Sequence, residues 1–120
     1  MFCYSVIVAT YRGIVVRGRG EGKLLGYPTA NIKADGIEPG IYSARVTLDG
    51  KAYDAAAFVD DSRAVLEAHI LDFSDDIYGK EIQIELVKKM RSTRRFANGM
   101  ELKKAIAKDV ADIRIFLKNA

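Results

Sequence analysis

The sequence predicts a small, mainly β domain, an antiparallel barrel or sandwich, followed by one helix at the C-terminal end. Five segments carry the β-branched, aromatic or alternating patterns of strands, and no helical pattern separates them. These segments are residues 11–17, 41–48, 51–59, 63–71 and 80–89. A doubly wound α/β fold needs helices between its strands, so this order of elements excludes that fold class.

The clearest local signal is the hairpin in the middle of the chain. Asp49 and Gly50 separate the strand-like segments 41–48 and 51–59. A two-residue type I′ turn needs positive φ at both central residues, and an Asp-Gly pair tolerates this conformation. We therefore expect the two segments to pair directly.

Two further strand-like segments show alternation. In the segment 80–89, Ile82, Ile84 and Leu86 fall on one face and polar residues on the other. In the segment 63–71, apolar residues alternate with positions that include Glu67. Each segment is therefore expected to have one face in the core.

The period of the pattern changes near the C-terminus. One apolar stripe recurs at steps of three and four residues, which predicts a helix over about 99–118; its members are Leu102, Ile106, Val110, Ile113 and Leu117. Asn98 is positioned to cap this helix, and Glu101 follows three residues later, as in a capping box.

Length and composition predict a single domain over residues 1–120, with 49% hydrophobic and 29% charged residues. The lone Cys3 excludes an intramolecular disulfide, and the lone His69 excludes a site with several histidines. A net charge of +3 suits an anionic ligand but is too small for a nucleic-acid footprint.

Residues 1–10 are apolar, but they have no basic flank and are about half the length of a bilayer span. We expect a cytoplasmic protein without a membrane partner.

A glycine-rich segment, Gly18–Gly26, precedes the sequence Pro28-Thr29-Ala30-Asn31. Its amides can form an anion-binding nest, although composition alone favours a surface loop, and the spacing fits neither standard nucleotide fingerprint. Thr29 and Asn31 are two residues apart, so an extended backbone directs both side chains to the same side. A hydroxyl and an amide oxygen are hard, neutral ligands that suit a Mg²⁺ shared with phosphates.

The segment Val16–Ile32 resembles the signature of the riboflavin kinases, whose glycine-rich loop leads into Pro-Thr-Ala-Asn. Further matches follow in the same order along nearly the whole chain. They are Gly40-Ile41-Tyr42, the segment from Glu67 to Phe73, Ile77-Tyr78-Gly79, the segment from Arg91 to Phe96, and then Leu102 and Asp109.

This resemblance implies a six-stranded antiparallel Greek-key β-barrel with a C-terminal helix. It also implies transfer of the γ-phosphoryl group of ATP to the 5′-hydroxyl of riboflavin, giving FMN, with Mg²⁺ as cofactor. Zn²⁺ or Mn²⁺ in place of Mg²⁺, and CTP as donor, stay open. The implied partners are riboflavin, FMN, ATP and ADP, without nucleic acid, and a monomer is expected.

The resemblance also implies roles for individual residues. Glu67 matches the catalytic base, and Thr29 and Asn31 match the metal ligands. The positions matching nucleotide contacts are Gly18, Gly20, Lys23, Pro28, Thr29, Ile70, Asp72 and Tyr78, and those matching flavin contacts are Arg91, Arg94 and Phe96. From the pattern alone, Glu67 is a carboxylate on a solvated strand face. His69, on the same face, is interpreted as structural.

Two departures from the family pattern stand out. Segment 57–63 lacks the glycine and proline of the usual Ile-Gly-x-x-Pro, which leaves the shape of this loop open. Thr93 stands where the family has a glutamate, so Arg91 is expected to lose an orienting partner. The basic run 88–95 lacks interleaved aromatic residues, and we interpret it as a source of phosphate-facing arginines.

Two alternatives to a kinase remain at the level of sequence. The first is a barrel that binds flavin or nucleotide without catalysis, and the second is a small structural or partner-binding barrel. If the chain is a kinase, we expect it to be monofunctional, because no nucleotidyltransferase pattern accompanies the barrel. FMN is then its final product.

Overall fold

The protein is described by a computed structural model, which covers residues 9–18, 26–62 and 64–119. In these ranges, six strands are followed by one long helix. They are β1 (Ala9–Ile14), β2 (Ala30–Lys33), β3 (Gly40–Leu48), β4 (Lys51–Val59), β5 (Val65–Ile70), β6 (Glu81–Arg91) and α1 (Gly99–Lys118).

The six strands form one antiparallel sheet in the order β1-β6-β3-β4-β5-β2. Strands β3, β4 and β5 follow one another, and β6 returns to the free side of β3, which is the Greek-key order. The two outer strands, β1 and β2, approach each other where the Val16 amide donates to the Asn31 carbonyl at 2.7 Å. The predicted barrel with a C-terminal helix is thus confirmed, and it is nearly closed.

The predicted central hairpin is also confirmed. Leu48 pairs with Lys51 across the turn, and Asp49 and Gly50 have φ values of 51° and 80°. Both turn residues therefore adopt the left-handed conformation that a type I′ turn requires.

Several boundaries differ from the sequence-based expectation. The first strand is Ala9–Ile14 rather than 11–17, because after Ile14 the chain leaves β6 and turns toward β2. Strand β6 continues to Arg91, with register shifts against β3 near Tyr42 and Ser43. The pattern analysis did not predict β2 as a strand, because four residues are too few for a periodic signal.

The barrel interior is filled by the alternating faces that the sequence predicts. Leu66, Ala68 and Ile70 point inward from β5, and Ile82, Ile84 and Leu86 do so from β6. Burial of each large aliphatic side chain contributes about 1.5–3 kcal/mol.

The helix packs on the outside of the barrel through a second apolar cluster. This cluster joins Ile113 and Leu117 of α1 to Ile41 and Val87 of the sheet. The Asn98 side chain caps the helix by accepting from the amide of Glu101 at 2.9 Å, as predicted. Within the described ranges, no helix combines the length and the apolar character needed to traverse a bilayer.

Candidate active site

Three oxygen-bearing side chains meet where β2 pairs with β5. The Thr29 hydroxyl lies 3.3 Å from Oε1 of Glu67 and 3.4 Å from Oδ1 of Asn31. Asn31 and Glu67 are direct cross-strand partners, and Thr29 immediately precedes β2. The register of this strand pair therefore brings the carboxylate of Glu67 to the hydroxyl of Thr29 and the amide oxygen of Asn31, although Glu67 is far from both in sequence.

The Asn31 side chain is held in a closely fitted position and is only 5% exposed. A Cβ added to Gly18 would lie 2.8 Å from its Cγ and closer still to its amide nitrogen. The bridge between Val16 and Asn31 brings Gly18 to this position. Any larger residue at position 18 would therefore displace the Asn31 side chain.

One cavity, which we call the first cavity, opens beside Gly18 and has a volume of about 400 Å³. Five of the predicted nucleotide contacts line it: Gly18, Pro28, Thr29, Ile70 and Tyr78. The metal-ligand candidates Thr29 and Asn31 are on the same wall. Gly20 and Lys23, also predicted to contact the nucleotide, lie outside the described residues.

Arg17 is a residue of the first cavity that the sequence analysis did not assign. Its guanidinium carbon lies 4.1 Å from the centre of the exposed Tyr78 ring. This geometry is a cation–π contact between the chain beside Gly18 and the loop before β6. It places a positive charge at the rim of the cavity that Thr29 and Asn31 line.

A second cavity of about 320 Å³ lies on the other side of Thr29, between β5, α1 and the segment 92–98 that joins β6 to α1. Its walls are largely apolar and aromatic, with Phe58, Phe96, Ile106 and Val110 among the lining residues. Glu67 also lines it. The predicted apolar stripe of α1 is therefore divided: Ile113 and Leu117 pack against the barrel, whereas Leu102, Ile106 and Val110 face this cavity.

All three predicted flavin contacts line the second cavity. Arg94 lies over the ring of Phe96 at 4.9 Å, and Arg91 lies 5.9 Å from the same ring. The expectation that Arg91 loses its orienting partner is wrong. Asp109 of α1 accepts from Nε and Nη2 of Arg91 at 2.8 and 2.7 Å, so the partner comes from the helix rather than from position 93.

The loop after β4, which departs from the family pattern, is closed by a local turn. The Asp60 carboxylate accepts from the amide and the hydroxyl of Ser62 at 3.0 and 2.6 Å. Such a side chain–backbone turn needs neither glycine nor proline. The Thr93 hydroxyl lies 3.4 Å from Oδ1 of Asp61, so the substituted residue joins this loop to the segment 92–98.

We call Thr29, Asn31 and Glu67 the three-oxygen cluster. Two other predicted residues have contacts outside this cluster. Nδ1 of His69 lies 2.8 Å from the Pro28 carbonyl, and its ring packs edge-on against Tyr27, in agreement with a structural role. Asp72 lines neither cavity, because its carboxylate faces the helix and accepts from both terminal nitrogens of Arg114 at 2.9 Å. The hydrogen bonds and charge of Arg114 hold the pKa of Asp72 below its ordinary value.

The oxygen atoms of the three-oxygen cluster suit a hard cation that takes only some of its ligands from the protein. No cluster of three or more His, Cys, Asp or Glu side chains that could hold a metal occurs among the described residues. The hydroxyl of Thr29 and the amide oxygen of Asn31 are instead two neutral oxygens beside the single carboxylate of Glu67. Mg²⁺ accepts such a set because it keeps several waters and takes further oxygens from substrate phosphates.

The fold and the site define a small Greek-key barrel with two ligand cavities that meet at one oxygen-rich point. The chain belongs to the riboflavin kinase family: the flavokinase family model, described as riboflavin kinase, matches residues 7–117. The site residues described above all fall within this matched range.

Individual relatives agree with the family match. The chain is 38% identical over 114 residues to the bifunctional riboflavin kinase/FMN adenylyltransferase of Escherichia coli, covering 87% of this chain and 36% of the relative. It is 37% identical over 108 residues to the trifunctional protein RibF/MnmA of Mycoplasmoides gallisepticum, covering 82% and 16%. The crystal structure of riboflavin kinase from Trypanosoma brucei superimposes with a TM-score of 0.68 at 26% identity, covering 91% and 76%. The chain thus spans less than half the length of these two bacterial relatives.

Proposed function

We propose that this chain transfers the γ-phosphoryl group of ATP to the 5′-hydroxyl of riboflavin, producing FMN and ADP. Membership of the riboflavin kinase family supports the reaction class. The observation that carries the proposal is the position of Thr29, which lines both cavities. A donor in one cavity and an acceptor in the other meet at this residue, as direct group transfer requires.

The two cavities suit different ligands. The first cavity combines the backbone around Gly18, a proline wall and the Arg17 charge, which suit a nucleotide and its phosphates. The second cavity is mainly apolar, and its aromatic residues suit the planar ring system of riboflavin. Volumes of about 400 and 320 Å³ are in the range of small-molecule sites.

We assign metal binding to Thr29 and Asn31, with Mg²⁺ as the cation and the ATP phosphates and water as its remaining ligands. When bound there, the cation neutralises charge on the phosphoryl oxygens. The family uses ATP and a divalent metal. The role of Gly18 is to let the chain pack against the Asn31 amide and hold its side chain in place.

Glu67 is the proposed general base. Its carboxylate lies beside the Thr29 hydroxyl and lines the second cavity. It accepts the proton of the riboflavin 5′-hydroxyl as the bond from that oxygen to the γ-phosphorus forms. The bond between the γ-phosphorus and the β–γ bridging oxygen breaks, and ADP leaves. Because phosphoryl transfer needs little covalent chemistry, positioning of these groups supplies most of the catalysis.

Arg94 and Phe96 are the proposed flavin contacts in the segment between β6 and α1. The Arg94 guanidinium lies over the Phe96 ring, and this pair of planar groups suits a flat aromatic ligand. Both residues line the second cavity and neither lines the first.

The direct test is incubation of the purified chain with riboflavin, ATP and Mg²⁺, with flavins separated by chromatography. We expect FMN to form. If the chain binds riboflavin but forms no FMN with any nucleotide donor or divalent cation, it is a binding module rather than a kinase. Absence of FAD is the outcome expected for a chain limited to one step. Parallel reactions with CTP test the choice of donor.

Replacement of the base tests the mechanism. We expect Glu67→Gln to lower kcat by about 10²–10⁴-fold, the range for loss of a general base, while nucleotide binding is retained. Glu81→Gln is the matched control, because Glu81 is exposed at the start of β6 and lines neither cavity. An unchanged kcat in Glu67→Gln removes Glu67 from this role.

A further inference from the structure

We propose that Asp109 is a positioning residue for the flavin side of the site. It fixes the guanidinium of Arg91 and, through it, the segment 92–98 that lines the second cavity. This inference rests on the proposed function, because it concerns how the same site holds riboflavin. In this proposal, Asp109 does not contact riboflavin and influences its binding only by orienting Arg91.

The contact between the two residues is bidentate and largely shielded from water. Nε and Nη2 of Arg91 donate to the two carboxylate oxygens of Asp109 at 2.8 and 2.7 Å. Asp109 is 9% exposed, and the Arg91 side chain is 25% exposed. Planar pairs of this kind restrict orientation as well as position. The pair therefore fixes the plane of the Arg91 guanidinium relative to α1.

Stability alone is a weak reason for placing this pair in the protein. A buried ion pair gains little over well-packed apolar residues, because both charges lose their hydration. The helix is already attached to the barrel by Ile113 and Leu117, which are almost fully buried. Asp109 instead lies on the stretch of helix that lines the second cavity, next to Val110.

Arg91 transmits this constraint to the segment that carries the flavin contacts. A third N–H group of its side chain, on Nη1, donates to the Ser92 carbonyl at 3.0 Å. At its other end, segment 92–98 is fixed by the capping contact of Asn98. Arg94 and Phe96 lie between these two fixed points. Their placement in the cavity therefore depends on the orientation of Arg91.

Three of the five N–H groups of Arg91 are used in these contacts, which leaves two for a ligand. Without Asp109, the guanidinium is free to rotate toward solvent or to fold over the neighbouring Phe96 ring. Either movement alters the wall of the second cavity and leaves the first cavity unchanged. Loss of Asp109 should therefore separate the two substrates kinetically.

The test is the variant Asp109→Asn, which keeps the shape of the side chain and removes its charge. We expect KM for riboflavin to rise about tenfold, equivalent to about 1.4 kcal/mol, with KM for ATP within twofold of the wild-type value. The dissociation constant of riboflavin, from quenching of its fluorescence with ADP and Mg²⁺ present, should rise in parallel. Asp112→Asn is the control, because Asp112 pairs with Lys108 on the exposed side of the same helix.

A second variant, Arg91→Lys, keeps the positive charge but loses the bidentate geometry. We expect it to raise KM for riboflavin to a similar degree, and we expect the double variant to be no worse than either single variant. Unchanged riboflavin parameters in Asp109→Asn overturn the inference. An equal rise in both KM values, accompanied by a lower Tm, also overturns it, since it indicates a purely structural pair. Formation of FMN by the wild-type chain tests the proposed function separately.

Discussion

Gly18 is the position at which a single methyl group gives the sharpest test of the site. Its φ is not in the left-handed region, so the backbone itself accepts alanine. The obstacle is the Asn31 side chain, whose Cγ would lie 2.8 Å from the new Cβ. Gly18→Ala therefore acts on one proposed metal ligand without altering any donor atom.

The structure sets the size of the displacement. An ordinary contact begins near 3.4 Å, and the amide nitrogen of Asn31 lies nearest to the new Cβ, so the amide must move away by about 1 Å. Asn31 is 5% exposed and its backbone is held by β5 and Val16, so its side chain takes up most of this movement. Misplacement of a positioning group by about 1 Å costs on the order of 10²-fold in rate. We therefore expect kcat to fall by about 30- to 100-fold.

The assay measures kcat, KM for both substrates and the dependence of the rate on Mg²⁺. We expect Gly18→Ala to require more Mg²⁺ for half-maximal activity, to keep its affinity for riboflavin, and to lose about 1–3 kcal/mol of stability through overpacking. Gly13→Ala is the matched control, because a Cβ there would lie 3.1 Å from Cβ of Ile32 in the core. It should lose stability while kcat stays within about twofold. Wild-type kcat and Mg²⁺ dependence in Gly18→Ala would refute the reasoning.

Two further predictions concern charges outside the three-oxygen cluster. Arg17→Gln removes the cation over Tyr78, and we expect KM for ATP to rise about fivefold, equivalent to about 1 kcal/mol, with KM for riboflavin unchanged. Asp72→Asn should lower the urea midpoint of unfolding at pH 7, because hydrogen bonds from Arg114 and its charge lower the pKa of Asp72 in the folded state. This stabilisation is present above the ordinary value of 3.8 and is lost as the pH falls through the lowered folded pKa, where wild type and variant should converge.

Each of these predictions has a distinct contradicting result. For Arg17→Gln, an equal rise in both KM values would show that the substitution disturbs the whole site. For Asp72→Asn, a difference from wild type that persists at the lowest pH would show that something other than the ionised carboxylate is lost. The asparagine is suitable because position 72 has φ of 57°, a conformation that Asn and Asp both tolerate.

Much of the barrel is predictable from local sequence because its strands expose one face and bury the other. Alternation places Leu66 and Ile84 inside, and Asp49-Gly50 sets the register of β3 and β4. Strand β2 gives no such signal. Its pairing with β5 brings together residues about 35 positions apart, and the Val16 bridge that completes the closure comes from outside any strand. These are non-local contacts, which periodicity does not report.

The candidate site also has a part that the sequence predicts and a part that it does not. The spacing of Thr29 and Asn31 correctly predicts that their oxygens lie together, because side chains two residues apart on an extended backbone point to the same side. The partner of Arg91 was not predicted from the sequence: Asp109 was matched to the family pattern, but no contact was assigned to this residue. A signal was present: Asp109 lies four residues from both Ala105 and Ile113, and all three are buried. A single carboxylate within a buried helical stripe indicates a cationic partner across the interface.

Closure of the barrel and construction of the site use the same contacts. The Val16–Asn31 bridge joins the two edges of the sheet, and it also brings Gly18 against the Asn31 amide. In addition, it positions β2 so that Thr29 lies between the two cavities. A substitution that breaks the Val16–Asn31 bridge itself should therefore reduce both the stability of the barrel and the rate of phosphoryl transfer. Ile113 and Leu117 of α1 line neither cavity, so substitutions there should reduce stability while leaving Mg²⁺ dependence unchanged.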